Sequence, residues 1–179
     1  MFPTYLFKIF LIGKKGVGKS TFVESPYISM MDDDRGLTNG VYYGTCDYPF
    51  NSQDISKVVR YQVWVFNPAG RFKFLFDSYI LGSQVIFVMF DVSDLTSLSE
   101  IDFWVETIRK RCDNVPILLI GNKSDLTEHL EGAKVLADNV VKKHNLMGYY
   151  EVSALESKNI ESPFRIVTDT ILEKFNPKV

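Results

Sequence analysis

GKKGVGKS, residues 13–20, is the stretch on which the reading of this chain turns. It has the form G-x-x-x-x-G-K-[ST], follows the apolar run YLFKIFLI at Tyr5–Ile12, and leads into a helical segment, Lys19–Ser25, that Pro26 must end. A strand, a glycine-rich loop and a helix in that order make a phosphate cradle. Gly13, Gly16 and Gly18 let the backbone bend where side chains would clash, turning N–H groups toward phosphate oxygens. Lys19 adds a mobile cation, the helix N-terminus its positive end, and Ser20 a hydroxyl suited to Mg²⁺. A glycine-rich turn with a solvated lysine is the plainer alternative, and the flanking strand and helix argue against it.

Beyond the loop, Gly40–Tyr48 and Val58–Phe66 read as strands joined by the polar connection PFNSQDISK, which would close a hairpin. QVIFVMFDV and VPILLIG are continuous apolar runs rich in β-branched residues, the pattern of central parallel strands covered on both faces. Between them Leu98, Ile101, Val105 and Ile108 recur at helical spacing, and Phe164, Val167, Ile171 and Phe175 mark a closing helix. Alternating strands and helices predict an α/β fold: a P-loop NTPase domain with a doubly wound, mostly parallel six-stranded sheet and helices on both faces.

The bulk numbers fit one such domain over residues 1–179, a unit that a longer chain could also carry. Hydrophobic residues make up 46% of the chain and aromatics 14%, enough for a substantial core. A formal charge of −2 lacks the basic footprint of nucleic-acid binding, so small molecules and proteins are the expected partners. Cys46, Cys112, His129 and His144 share no metal-ligand spacing and suggest no disulfide framework, which points to a reducing, cytoplasmic setting. The apolar amino end is too short to span a bilayer, Lys8 interrupts it, and it reads as a buried strand.

GNKSD, Gly121–Asp125, names the base. It directly follows the strand VPILLI, where a carboxylate can accept from both the ring N1–H and the exocyclic amine of guanine; adenine offers no matching pair of donors. At about 1–3 kcal/mol per charge-assisted bond, plus the penalty of an unpaired charge against the wrong base, Asp125 favours guanine. Asn122 and Lys123 would brace the loop and cover the base. A small-molecule kinase also uses a phosphate loop, but NKSD and VSAL would then have no role.

With IFVMFDVSDLTSLSEIDFWVETIRK, IGNKSDL and YEVSAL in this order, the chain resembles a small GTPase of the Ras superfamily, of the Rab branch, over nearly its whole length. The resemblance implies GDP/GTP and Mg²⁺ as cofactors, and protein effectors, exchange factors and activating factors as partners. It assigns Gly13, Lys15, Gly16, Val17, Gly18, Lys19, Ser20, Thr21, Met31, Gly70, Asn122, Lys123, Asp125, Ser153, Ala154 and Leu155 to the nucleotide, and Ser20, Thr38 and Asn67 (through water) to the metal. Ser153 and Ala154 would close over the base; Leu155 stands where a lysine is common. Thr38, 18 residues after Ser20 in LTNGVYY, takes the place of the first-switch threonine, with a plain surface threonine as the alternative.

The departures from the family pattern carry the functional question. Met31 replaces an aromatic residue that stacks on guanine, leaving a weaker grip or a substitute such as Tyr27, and Asp32, Asp33 and Asp34 read first as a solvated loop. Lys15 stands where glycine is common, either as an exposed cation or as a charge near the γ-phosphate. Asn67, Pro68, Ala69 and Gly70 fall on the family's D-x-x-G, so the acid beside the metal is neutral here and magnesium should bind less tightly. A one-for-one count puts Arg71 at the catalytic glutamine, whereas aligning RFKFLFDSY deletes that glutamine and its neighbour. Either alignment leaves no glutamine to orient water. Slow hydrolysis is the expectation, with Arg71 or a partner supplying substitute groups as its rival and a pseudo-GTPase scaffold as the alternative function. FNPKV carries no cysteine for prenylation, so attachment of that kind is not expected from this sequence, and a peripheral position at membranes would need partners or a missing tail.

Overall fold

The computed structural model describes residues 5–30, 41–52, 55–67, 75–112, 114–128 and 130–175. In chain order it comprises β1 (Tyr5–Gly13), α1 (Lys19–Val23), β2 (Ser29–Met30), β3 (Val41–Ser52), β4 (Ile55–Phe66), α2 (Phe76–Ile80) and β5 (Val85–Asp91). The chain continues through α3 (Ile101–Arg111), β6 (Ile117–Asn122), α4 (Leu130–His144), β7 (Tyr149–Glu151) and α5 (Glu161–Phe175). Met31, Asp32, Asp33, Asp34, Thr38, Gly70 and Arg71, together with Pro68, Ala69 and His129, lie outside the described residues.

The sheet runs in the order β2-β3-β4-β1-β5-β6-β7. From β4 to β7 every neighbouring pair is parallel, while β3 pairs antiparallel with β4 and with β2. The five strands located in the sequence are all there, β7 supplies the sixth, and β2 adds two residues at one edge. Alternation explains the two cores. Ile9 and Leu11 face a cluster with Phe22, Phe87 and Phe164, while Phe10 and Ile12 face another with Phe66, Phe76, Trp104 and Ile108. Both faces are therefore covered, and β5 and β6 are buried along their whole lengths.

Register places the functional loops. Gly13 is paired with Met89, and Asp91 with Asn122, so β1, β5 and β6 end along one edge of the sheet. Such an edge, at the carboxyl ends of parallel strands, is where open α/β sheets bind ligands. Gly13 is required by closeness: a Cβ there would stand 2.1 Å from the Met89 carbonyl oxygen.

Two boundaries differ from expectation. PFNSQDISK is mostly strand, because β3 and β4 stay paired as far as Ser52 and Ile55. Among the described residues β2 pairs only with Gly44 and Thr45, which leaves β3 as an edge strand at Pro49, where a missing N–H need not interrupt a ladder. The helix through Leu98 begins as a 3-10 turn over Leu95–Glu100, with the Asp94 side chain accepting from Thr96 N at 3.1 Å, and becomes α-helical only at Ile101.

Candidate nucleotide-binding site

The loop between β1 and α1 wraps its own lysine. Lys19 is 7% exposed, and its Nζ donates to the carbonyl oxygens of Gly13 (2.8 Å) and Lys14 (2.9 Å). Burial pulls the ammonium pKa down to about 8, partly opposed by the charge of Glu100. A desolvated cation on a glycine-rich loop is poised for an anion. Gly18 turns into the helix at φ 96°, and a Cβ at this glycine would lie 2.2 Å from Asn122 Nδ2, so glycine is needed for both conformation and space.

Asn122 explains that closeness. Its Nδ2 donates to Val17 O at 2.9 Å, and its Oδ1 accepts from Ala154 N at 2.9 Å, with the side chain 1% exposed. One amide thus joins the phosphate loop, the end of β6 and the loop after β7. Beside it, Ser153 donates its hydroxyl to Asp125 and accepts from Glu156 N at 3.1 Å, while Ser153 and Lys158 exchange backbone hydrogen bonds. Asp125 is thereby held in place and partly exposed.

Lys123 takes a left-handed conformation, φ 66°, uncommon for a residue with a side chain, and its Nζ meets Asp91 Oδ2 at 2.5 Å. Burial opposes the Asp91 charge, but hydrogen bonds from Lys123 and Ser93 prevail and hold its carboxyl below the usual range. The sequence reading gave Asp91 no role; its position at the end of β5 was the available signal.

A cleft of about 330 Å³ opens beside the loop, lined by Lys15, Gly16, Gly18, Lys19, Ser20, Thr21, Tyr42 and Asn67. Asn67 follows directly on β4 and is exposed, and Lys15 is exposed on the loop. The hydroxyls of Ser20 and Tyr42 are hydrogen-bonded at 2.5 Å. Tyr42 was missed because nothing local links it to Ser20; the fold brings β3 against the phosphate loop. Ser153 and Ala154 are buried and Leu155 is 75% exposed. Tyr27 is committed elsewhere: its ring lies 5.5 Å from that of Phe164, and its hydroxyl interacts with the Cys46 thiol.

A sheet of this topology, with a phosphate loop after its central strand and an Asn-Lys-x-Asp loop joined to it by one amide, defines a P-loop G domain. A profile of the Ras family matches residues 8–173. The chain is 33% identical over 178 residues to Ras-related protein RABD2a of Arabidopsis thaliana, across 95% of this chain and 82% of that protein. It is 33% identical over 172 residues to Ras-related protein Rab-19 of Homo sapiens, across 95% of this chain and 77% of that protein. The chain belongs to the Ras family, as a Rab-like small GTPase built as a nucleotide-binding switch. Proteins of this family bind guanine nucleotide and Mg²⁺, and engage effectors and regulators. No helix among the described residues is long and apolar enough to cross a membrane.

Proposed function

We propose that this protein is a guanine-nucleotide switch that holds its nucleotide but turns GTP over slowly. The observation that carries this reading is the Asn122 bridge with Asp125 fixed by Ser153, because it orders a carboxylate for the guanine edge before any ligand arrives. Slow turnover follows from residues 67–72, where neither alignment supplies a glutamine to orient attacking water. Nucleotide titration tests both parts: GDP and GTP analogues should bind and ATP analogues should not. Asp125→Ala should erase that preference, and single-turnover phosphate release should be slow. Rapid release by the isolated protein would refute the impaired timer.

Among the described residues, the donors in the cleft do not fit a tight magnesium site. Ser20 already shares its hydroxyl with Tyr42, and Asn67 brings an amide in place of a carboxylate. That crowding also favours a second reading, a pseudo-GTPase scaffold whose nucleotide is structural or absent. Partner binding that ignores the nucleotide would select the scaffold.

Partners meet the switch at an aromatic ladder. Tyr43 stacks on Trp64 with centroids 5.0 Å apart, and Trp64 lies 5.8 Å from Tyr79. All three are partly exposed, and the Trp64 indole N–H has no hydrogen-bond acceptor among the described residues. Lys8 Nζ sits 4.9 Å from the Trp64 ring centre and donates to the carbonyls of Tyr79 and Leu81, fixing the end of α2 against it. In sequence, Tyr43 follows residues 31–40, and Trp64 and Tyr79 stand on either side of residues 68–74, the two stretches that the family likeness makes nucleotide-sensitive. An effector seated there would read both, and the Rab likeness suggests vesicle trafficking as the setting.

A further inference from the structure

We propose that Lys15, Lys19 and Tyr42 take over in this cleft the work that a divalent cation does in related proteins, so that nucleotide retention here is nearly independent of magnesium. The inference rests on the guanine-nucleotide reading above and concerns the phosphate end of the same site.

Charge is the first argument. The cleft brings two lysine side chains to the phosphate loop and, among the described residues, no carboxylate to its lining. Lys19 is fixed inside by the Gly13 and Lys14 carbonyls, while Lys15 is exposed on the loop and lines the same cleft. Two ammonium groups satisfy phosphate oxygens and repel a dication at the same time. Asn67, the nearest counterpart of the family's acid, supplies no charge to offset that repulsion.

Geometry is the second. Mg²⁺ demands near-octahedral oxygen ligands at about 2.0–2.1 Å and gives up water reluctantly. The hydroxyl it would need on Ser20 is within 2.5 Å of the Tyr42 hydroxyl, and Tyr42 is 6% exposed on a strand registered against β4 at Val65. The phenol, buried on its strand, keeps one side of the Ser20 hydroxyl occupied. It can also pass a hydrogen bond from the Ser20 pair to a phosphate oxygen, a role open to a group that both donates and accepts.

The experiment follows release of N-methylanthraniloyl-GDP from the full chain in magnesium and in EDTA, for the wild type, Tyr42→Phe, Lys15→Gly and the double variant. The wild-type rates should differ by less than about threefold, and the double variant should release at least about tenfold faster in EDTA than in magnesium. A wild-type ratio above threefold overturns the proposal, and a double variant that keeps the wild-type ratio overturns the assignment to these side chains. Thermal melts identify a variant that has not folded. Titration of the GDP-loaded wild type with Mn²⁺, followed by electron paramagnetic resonance, then decides alone: weak binding sustains the proposal and tight binding ends it. Failure of GDP to bind under either condition would instead remove the guanine-nucleotide reading, an outcome distinct from metal-dependent binding.

Discussion

Asn122 shows what one side chain can hold together. Replacing it by alanine leaves Val17 O and Ala154 N without their partners in a buried place, at a cost of about 2–4 kcal/mol, measurable by denaturant unfolding. GDP affinity should fall with it, because both loops lose their common anchor. Lys19 gives a pH signature. Its folded pKa, about 8, lies below its ordinary 10.5, so between those values the unfolded chain binds the extra proton. The contribution of Lys19 to stability therefore rises with pH from about 8 toward 10.5. Nucleotide-free wild type should gain on Lys19→Met across that window in parallel melts, while wild-type GDP affinity declines as the cation is lost. Asn122, Asp125 and Lys19 were legible in the sequence because their chemistry is local to short motifs. Tyr42 was not, since its meeting with Ser20 depends on tertiary packing across 22 positions.

Among the elements, α5 depends on Phe164. Its ring packs against Phe22, Tyr27, Tyr61 and Phe87, with Tyr61 further tied to α5 through a 2.7 Å hydrogen bond to Thr168. Phe164→Ala should cost about 3–5 kcal/mol in urea unfolding, the range for emptying an aromatic site in a packed core. The period of α5 was plain because Phe164, Val167 and Ile171 are all buried. That of α4 was hidden: among its described side chains the fully buried ones are Ala133 and Ala137, whereas Val135 and Leu136 are exposed. A helix that meets the sheet through alanines and shows larger apolar side chains to solvent gives a blurred pattern. The hairpin itself was legible, and only its boundaries were not, since polar residues and a proline can extend paired strands toward the turn.

For the whole molecule, the parallel sheet was legible because β5 and β6 are unbroken apolar runs, and such runs require cover on both faces. The aromatic ladder was not, because Tyr43, Trp64 and Tyr79 come from three separate elements and meet only after the sheet forms. Trp64→Ala should weaken effector capture at least about tenfold, the usual mark of an aromatic hot spot, and leave GDP affinity within about twofold; affinity pull-down and nucleotide titration separate the two effects. The bond from Val17 to Ala154 through Asn122 has a last consequence for selection. On the guanine-nucleotide reading proposed above, the span between the phosphate cradle and the Asp125 carboxylate is set by the reach of a single asparagine, which would make the cleft a gauge. Diphosphate alone or guanine alone would then touch only one jaw, and a ligand would engage both only when its sugar holds base and phosphate at that interval.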